Sequence, residues 1–311
     1  MVTDQAALTR LETRLRSAGL KLARLEPLAP HTTYHVGGPA DLFATARRPE
    51  QLAVALIEAA RTGVPCLVLG AGSNLLVGDR GFRGLALRNR CDHVAVNKRP
   101  GQTEVTVMAE TGIGLPALTH RMVEQGLSGL TWAEGVPGTL GGAIVGNAGA
   151  FGSCIADSLV SVQWANAAGE RGEWPAADLD FSYRSSRLKG RHDIVLLAAV
   201  LRLMQGERDE ERRLLREYAD RRQRAQPAGP SAGSVFKNPP GQFAGRLIEE
   251  AGLKGHRIGG AHVSEKHANF IINDQGGTAA DVRALITLIR QEVARRFGVE
   301  LELEIELVGE F

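Results

Sequence analysis

Residues 135–152 read GVPGTLGGAIVGNAGAFG. Seven of these eighteen residues are glycine, and Thr139, Ala143, Ala148 and Ala150 are small as well. Glycine loses more backbone freedom on folding than any other residue, so a dense run inside a folded chain needs a reason. The usual reason is a backbone that turns sharply and approaches a large partner, with amide N–H groups presented to it. Phosphates and flat heteroaromatic rings are such partners. A second glycine segment, LGAGSNLLVG at 69–78, looks like the other half of the same site. The chain therefore reads as a large cofactor held between two loops, with substrate chemistry supplied from downstream.

The composition narrows the class. A chain of 311 residues is long enough for two or three domains. With 43% hydrophobic and 23% charged residues it is an ordinary globular sequence, and a net charge of +2 gives no reason to expect nucleic acid or a membrane surface. Cys66, Cys91 and Cys154 are far apart with no CxxC spacing, which reads as free thiols in a reducing compartment. His262 and His267 are five apart, a spacing that suits no metal-ligand pattern, and no metal is expected. No run of eighteen apolar residues exists, and the first twenty residues lack the apolar core of a signal peptide. A cytoplasmic protein is expected.

Periodicity predicts a helix over 4–18 with Leu8, Leu11 and Leu15 on one face, and a second opened by Pro49 and ended by Gly63. Short strands are expected at 41–46, 66–69, 85–87, 94–96, 105–109 and 159–165, with a long apolar strand at 194–203 and a helix over 115–125. Short strands without regular intervening helices argue against a doubly wound α/β sheet. Residues 207–225 form a charged helix in which acids are interspersed among the arginines, so a solvated helix bridging two domains is favoured over a nucleic-acid surface. Beyond a loop at 227–240, helices are expected at 243–251 and after Thr278, with a strand at 268–272. Residues 299–308 alternate throughout, placing Val299, Leu301, Leu303, Ile305 and Leu307 inward and four glutamates outward. The expected division is 1–205, itself in two subdomains meeting near 70–80, and 206–311. The terminal strand either stays in the second domain or returns to the first.

Four stretches carry candidate chemistry. GAGSN at 70–74 follows a strand but has Leu75 where a dinucleotide fingerprint needs its third glycine, and it lacks the Gly-Lys-Ser/Thr of a P-loop. Its turn amides with Ser73 and Asn74 suit a pyrophosphate; a plain β-turn is the other reading. Arg184 in YRSSR could clamp a carboxylate with its planar fork, or could stand in a surface turn. Ser234, Lys237 and Asn238 in SAGSVFKNP could donate a proton and bind an anion, or form a capped turn. Glu304 lies by periodicity on a solvated strand edge.

The ordered set TTYHVGGPAD, LGAGSNLLV, EGVPGTLGGAIVGNAGAFG, YRSS, AGSVFKNP, AGRLIEEAGLKG and LELEIELVGE, running from about Thr33 to the C-terminus, resembles the UDP-N-acetylenolpyruvoylglucosamine reductases, also called UDP-N-acetylmuramate dehydrogenases. The resemblance implies an α+β chain in which a vanillyl-alcohol-oxidase-type FAD-binding domain precedes a smaller α+β substrate-binding domain. It implies a flavoenzyme with non-covalent FAD, and a monomer is expected. NADPH reduces the flavin, which passes a hydride to UDP-N-acetylglucosamine enolpyruvate in bacterial peptidoglycan precursor synthesis, and so serves cell shape and division. The FAD would be held by Gly70, Ala71, Gly72, Ser73, Asn74 and Leu75 with Gly135, Pro137, Gly138, Thr139, Gly141, Gly142, Gly146 and Asn147. Arg184 and Glu304 would meet the charge on the substrate carboxylate, Ser234 would donate the proton, Lys237 would polarise Ser234 or bind the diphosphate, and Asn238 would contact the nucleotide portion of the substrate. Two positions depart from the family's common pattern: Gly146 replaces a methionine, and Glu306 an arginine. No lid insertion is legible between Arg187 and Ser234, which resembles the lidless subgroup. A flavin-binding protein with an idle triad, and a flavin oxidase of the same fold, are the other readings. Arg184, Ser234 and Glu304 together speak against the first. The second commonly carries a His or Cys for flavin attachment where Ser73 and Asn74 stand.

Overall fold

The computed structural model describes residues 4–311; Met1 to Thr3, which open the expected first domain, lie outside them. The chain forms two compact units, interleaved in sequence. One comprises the residues up to Arg24, Asp41–Gly70 and Gly84–Arg222; the other comprises Leu25–Ala40, Ala71–Arg83 and Gln223–Phe311.

The first unit has two cores. Helices Gln5–Ser17 and Pro49–Thr62 pack through Leu11, Leu15, Leu52 and Leu56, all buried. Asp4 caps the first by accepting from Ala6 N–H at 2.9 Å, and Gly63 ends the second in the left-handed region at φ 70°. Residues 22–24, 41–46, 84–89 and 66–69, in that order, are this unit's part of a four-stranded sheet that lies with them. The last two strands run parallel. The second core is built on an antiparallel sheet ordered Arg171–Pro175, Leu159–Asn166, Ile194–Gln205, Glu104–Glu110 and Val94–Asn97. Strand Ile194–Gln205 is a wall shared by both cores. Val195 and Leu197 face the first, whereas Leu196, Ala199, Leu201 and Leu203 face the second. A strand buried on both faces needs apolar residues at every position, which is why this run does not alternate.

The charged helix Arg208–Ala225 belongs to the first unit as far as Arg222. Its buried residues are Leu215 and Glu211, whose carboxylate accepts from the Thr131 hydroxyl. Burial pushes the thiols of Cys66 and Cys91 up to about 12, and raises that of Cys154, so all three are protonated at neutral pH.

In the second unit, helices Ala244–Glu250 and Ala279–Phe297 pack on a small antiparallel sheet, Arg257–Ile258, Ala261–Val263 and Ile271–Asn273. The N-terminus of the long helix is held twice. Thr278 and Asp281 form a capping box, and Asp79 accepts from Ala279 N–H at 2.8 Å and Ala280 N–H at 2.9 Å. Asp79→Ala should therefore cost about 1–2 kcal/mol and lower the apparent Tm by about 2–8 °C, with Asp79→Asn between the two, read by thermal denaturation.

The expected ten-residue terminal strand is not formed. Only Glu306–Val308 is a strand, parallel to Leu75–Val77 in the same unit. The alternation also changes phase after Ile305: Leu307 is 41% exposed and Val308 is 8% exposed. Residues 302–304 are instead held by the Ser234 segment, with Lys237 N–H donating to Glu302 O at 2.9 Å and Glu304 N–H to Val235 O at 2.8 Å. Neighbours remote in sequence decide this register, and periodicity does not record them.

Candidate active site

The glycine-rich stretch lies wholly in the first unit and contains one short helix, Leu140–Val145. Thr139 caps it, accepting from Gly142 N–H at 3.4 Å. Strand Cys66–Leu69 ends against this cap, where a Cβ on Gly70 would collide with Thr139 Oγ1. Leu140 N–H donates to Ile113 O at 2.9 Å and Gly141 N–H to Thr111 O at 2.8 Å. Several amides the sequence offers to a ligand are thus already bonded within the protein. Gly142 differs. It is exposed, and an added Cβ would meet only its own cap, at 3.7 Å. Glycine in a first helical turn with no packing demand on it leaves a bare backbone face.

Asn147 follows this helix in the left-handed region, at φ 42°, and is buried. Its Nδ2 donates to Ser182 O at 2.9 Å, while its Oδ1 is buried with no hydrogen-bond partner. Ser182 and Ser185 exchange backbone bonds of 3.1 and 3.2 Å, closing a two-residue turn whose tip is Tyr183-Arg184. Arg184 is also left-handed, at φ 56°, a costly conformation for a side chain of its size. Ser186 Oγ donates to Val145 O at 2.8 Å and Lys189 Nζ to Arg184 O at 3.3 Å, so the turn is held from several sides. Arg222 Nε donates to Glu134 O at 3.0 Å. Burial holds the Arg222 guanidinium below its ordinary value; Glu134 opposes this, and the like charge of Arg184 adds to it. The two arginines therefore share one cationic region.

The second unit carries the other candidates. Gly72 is left-handed at φ 64°, and a Cβ there would collide with the His31 carbonyl. Asn74 Nδ2 donates to Glu304 O at 3.1 Å, and Glu306 N–H donates to Asn74 O at 2.9 Å. Leu303 bridges Phe236. Ser234 is thus one residue from the carbonyl that takes the Glu304 N–H, so the structure brings these two candidates and Asn74 together. Lys237 Nζ lies 3.1 Å from Glu302 Oε2, an ion pair whose carboxylate side is 76% exposed. Asn238 Oδ1 accepts from Ala244 N–H at 3.0 Å and so caps the helix Ala244–Glu250.

Three structural residues of these sites were not singled out from sequence. Asn269, buried, accepts from Phe236 N–H at 3.0 Å and donates to Phe236 O at 2.8 Å, while its own carbonyl accepts from Val235 N–H at 2.9 Å. An asparagine inside the apolar run Ala268–Ile272 is the signal that would have marked it. Thr111, buried, donates to Leu196 O at 2.6 Å and accepts from Asn89 Nδ2 at 2.9 Å, tying the glycine stretch to the shared strand. Asp79 is the third, the helix cap described above.

A family model for an FAD binding domain matches residues 40–173, and one for the UDP-N-acetylenolpyruvoylglucosamine reductase C-terminal domain matches residues 224–308. A UDP-N-acetylenolpyruvoylglucosamine reductase of Moorella thermoacetica is 46% identical over 307 residues, 97% of this chain and 99% of the relative. The chain belongs to the UDP-N-acetylenolpyruvoylglucosamine reductase family. A second relative of that name, numbered 2, from Symbiobacterium thermophilum is 43% identical over 305 residues, 96% of each chain. The crystal structure of the reductase from Thermus caldophilus superposes with a TM-score of 0.77 at 34% identity, covering 93% of this chain and 99% of that one.

This member of the family is an FAD-dependent oxidoreductase, with an FAD-binding domain ahead of the smaller α+β region as the sequence implied. Its residues fit the cofactor at two points. The unpartnered Asn147 Oδ1 offers a buried acceptor, and the bare face at Gly142 admits a flat or bulky group. Among the described residues, no helix is long and apolar enough to cross a membrane, and no group of three or more His, Cys, Asp or Glu is placed to hold a metal ion.

Proposed function

We propose that this enzyme uses NADPH to reduce UDP-N-acetylglucosamine enolpyruvate to UDP-N-acetylmuramate, a step of peptidoglycan precursor synthesis. The observation that carries this reading is the 2.8 Å bond from Glu304 N–H to Val235 O, which sets Ser234 and Glu304 on adjacent backbone segments. When bound, the flavin supplies the hydride that adds to the methylene carbon of the enol ether. Arg184 binds the substrate carboxylate with its planar guanidinium and stabilises the negative charge that develops there. Glu304 is the second group beside that carboxylate. Ser234 Oγ delivers the proton to the neighbouring carbon, which requires the hydroxyl to be held in line with that carbon. Lys237 and Asn238 take the diphosphate and nucleotide. The exposed Lys237–Glu302 pair contributes little to stability and exchanges readily for a diphosphate. The cofactor lies along Gly70–Leu75 and the glycine-rich stretch through Asn147.

The test is the visible flavin absorbance of the anaerobic protein. NADPH should bleach it, and the enolpyruvate substrate should restore it. Bleaching without recovery overturns the assigned substrate, and a colourless protein that takes up no FAD overturns the whole reading.

A further inference from the structure

We propose that Asn147 is the positioning residue for Arg184, and that its unpartnered carbonyl oxygen accepts a hydrogen bond from an N–H or O–H group of the bound flavin nucleotide. One side chain would then link occupancy of the cofactor site to the placement of the arginine. The inference rests on the catalytic role proposed for Arg184.

The backbone alone does not call for asparagine. At φ 42° glycine would serve as well, and seven of the eighteen residues of this stretch are glycine. What asparagine adds is one donor group and one acceptor. Ser182 O can only accept, so the amide nitrogen must face it, and Oδ1 then points elsewhere. Oδ1 is buried and unpartnered, and buried polar atoms left unpaired are uncommon in native folds. A flavin nucleotide carries suitable donors in its imide N–H and ribityl hydroxyls.

The Nδ2 bond acts where the chain is strained. The same Ser182 carbonyl accepts from Ser185 N–H, so the asparagine grips the base of the turn that holds Arg184 at φ 56°. Ser186 Oγ anchors the turn to Val145, on the helix that leads into Asn147. Without the asparagine donor, the turn keeps its mutual Ser182–Ser185 bonds but loses its tie to the cofactor-side residue. The arginine would then sample other placements. The fold would persist, because the surrounding core residues Leu140, Ile144 and Ile155 are untouched.

Asn147→Gly tests this, since it preserves the backbone conformation and removes both groups. FAD release on dilution of the holoenzyme, followed by flavin fluorescence, should show Kd raised about tenfold. At saturating FAD, reoxidation by the enolpyruvate substrate should slow by about 10–100-fold, a larger loss than that in reduction by NADPH. Asn147→Asp keeps the acceptor and replaces the donor with an oxygen that faces Ser182 O, so it should share the slow reoxidation. Thermal denaturation confirms that both variants are folded. An unchanged FAD Kd in Asn147→Gly overturns the cofactor contact. Equal losses in the two half-reactions, or normal reoxidation, overturn the positioning role. Arg184→Lys is the control, expected to be strongly slowed in reoxidation because lysine lacks the fork. If Arg184→Lys is slowed and the Asn147 variants are not, this inference alone fails. If Arg184→Lys turns over normally, the proposed role of Arg184 fails and takes this inference with it.

Discussion

Ser234→Ala is expected to leave reduction of the flavin by NADPH within about twofold of wild type and to slow reoxidation by substrate by about 10²–10⁴-fold, the usual contribution of a positioned general acid. The variant should fold normally, because the backbone around Ser234 is fixed by groups other than its hydroxyl. Val235 N–H donates to Asn269 O and Val235 O accepts from Glu304 N–H. The Asn269 side chain brackets both sides of Phe236. A loss confined to reoxidation would therefore report the missing proton and not a displaced loop. Stopped-flow measurement of the two half-reactions separates these cases. Equal loss in both would remove Ser234 from the proton-donor role. A serine hydroxyl is a weak acid in water, so a large effect also requires that the site hold it in line with the acceptor carbon.

Local features of the fold were legible because their causes are local. Pro49, Gly63 and Thr278 mark helix ends through their own side chains or their own φ, and each stands where the sequence puts it. The run at 194–203 is legible as a strand, but the reason for its unbroken apolarity, a place between two cores, is not. The terminal segment misleads for the same reason. LELEIEL has the period of a strand edge, yet its first half is held by residues 235–237 and its last residues by Leu75–Val77. Partners nearly seventy and over two hundred residues away outweigh a local period. The site divides along the same line. The glycine stretches, Arg184, Ser234 and Glu304 are candidates by motif order. The residues that hold their backbones, Asn147, Asn74 and Asn269, act on atoms remote in sequence. Asn74 shows the limit most plainly. Its amide donates to the Glu304 carbonyl, 230 residues away, a bond that no local pattern records.

That contact frames the expectation for Glu304→Gln, which should lose about 3 kcal/mol or more of transition-state stabilisation, roughly a hundredfold in reoxidation, with FAD loading unchanged. Glutamine has the same shape, so the change isolates the charge. The backbone of Glu304 is clamped on both sides, by Val235 O on its N–H and by Asn74 Nδ2 on its carbonyl. The substituted side chain thus starts from the same place. A solvated edge residue would tolerate the change with almost no effect, as surface substitutions usually do. Glu300 and Glu302 are exposed, whereas Glu304 and Glu306 are half-buried, so the row that periodicity makes uniform divides in two. Near-normal turnover would nevertheless return Glu304 to the solvated edge. The double variant Ser234→Ala/Glu304→Gln carries the argument one step further. If both groups act on one transition state, the pair should lose little more than the worse single variant, because groups that work as a unit are strongly non-additive. If the two losses multiply, the two groups contribute independently to the barrier, and the picture of Ser234 and Glu304 working as one unit must be given up.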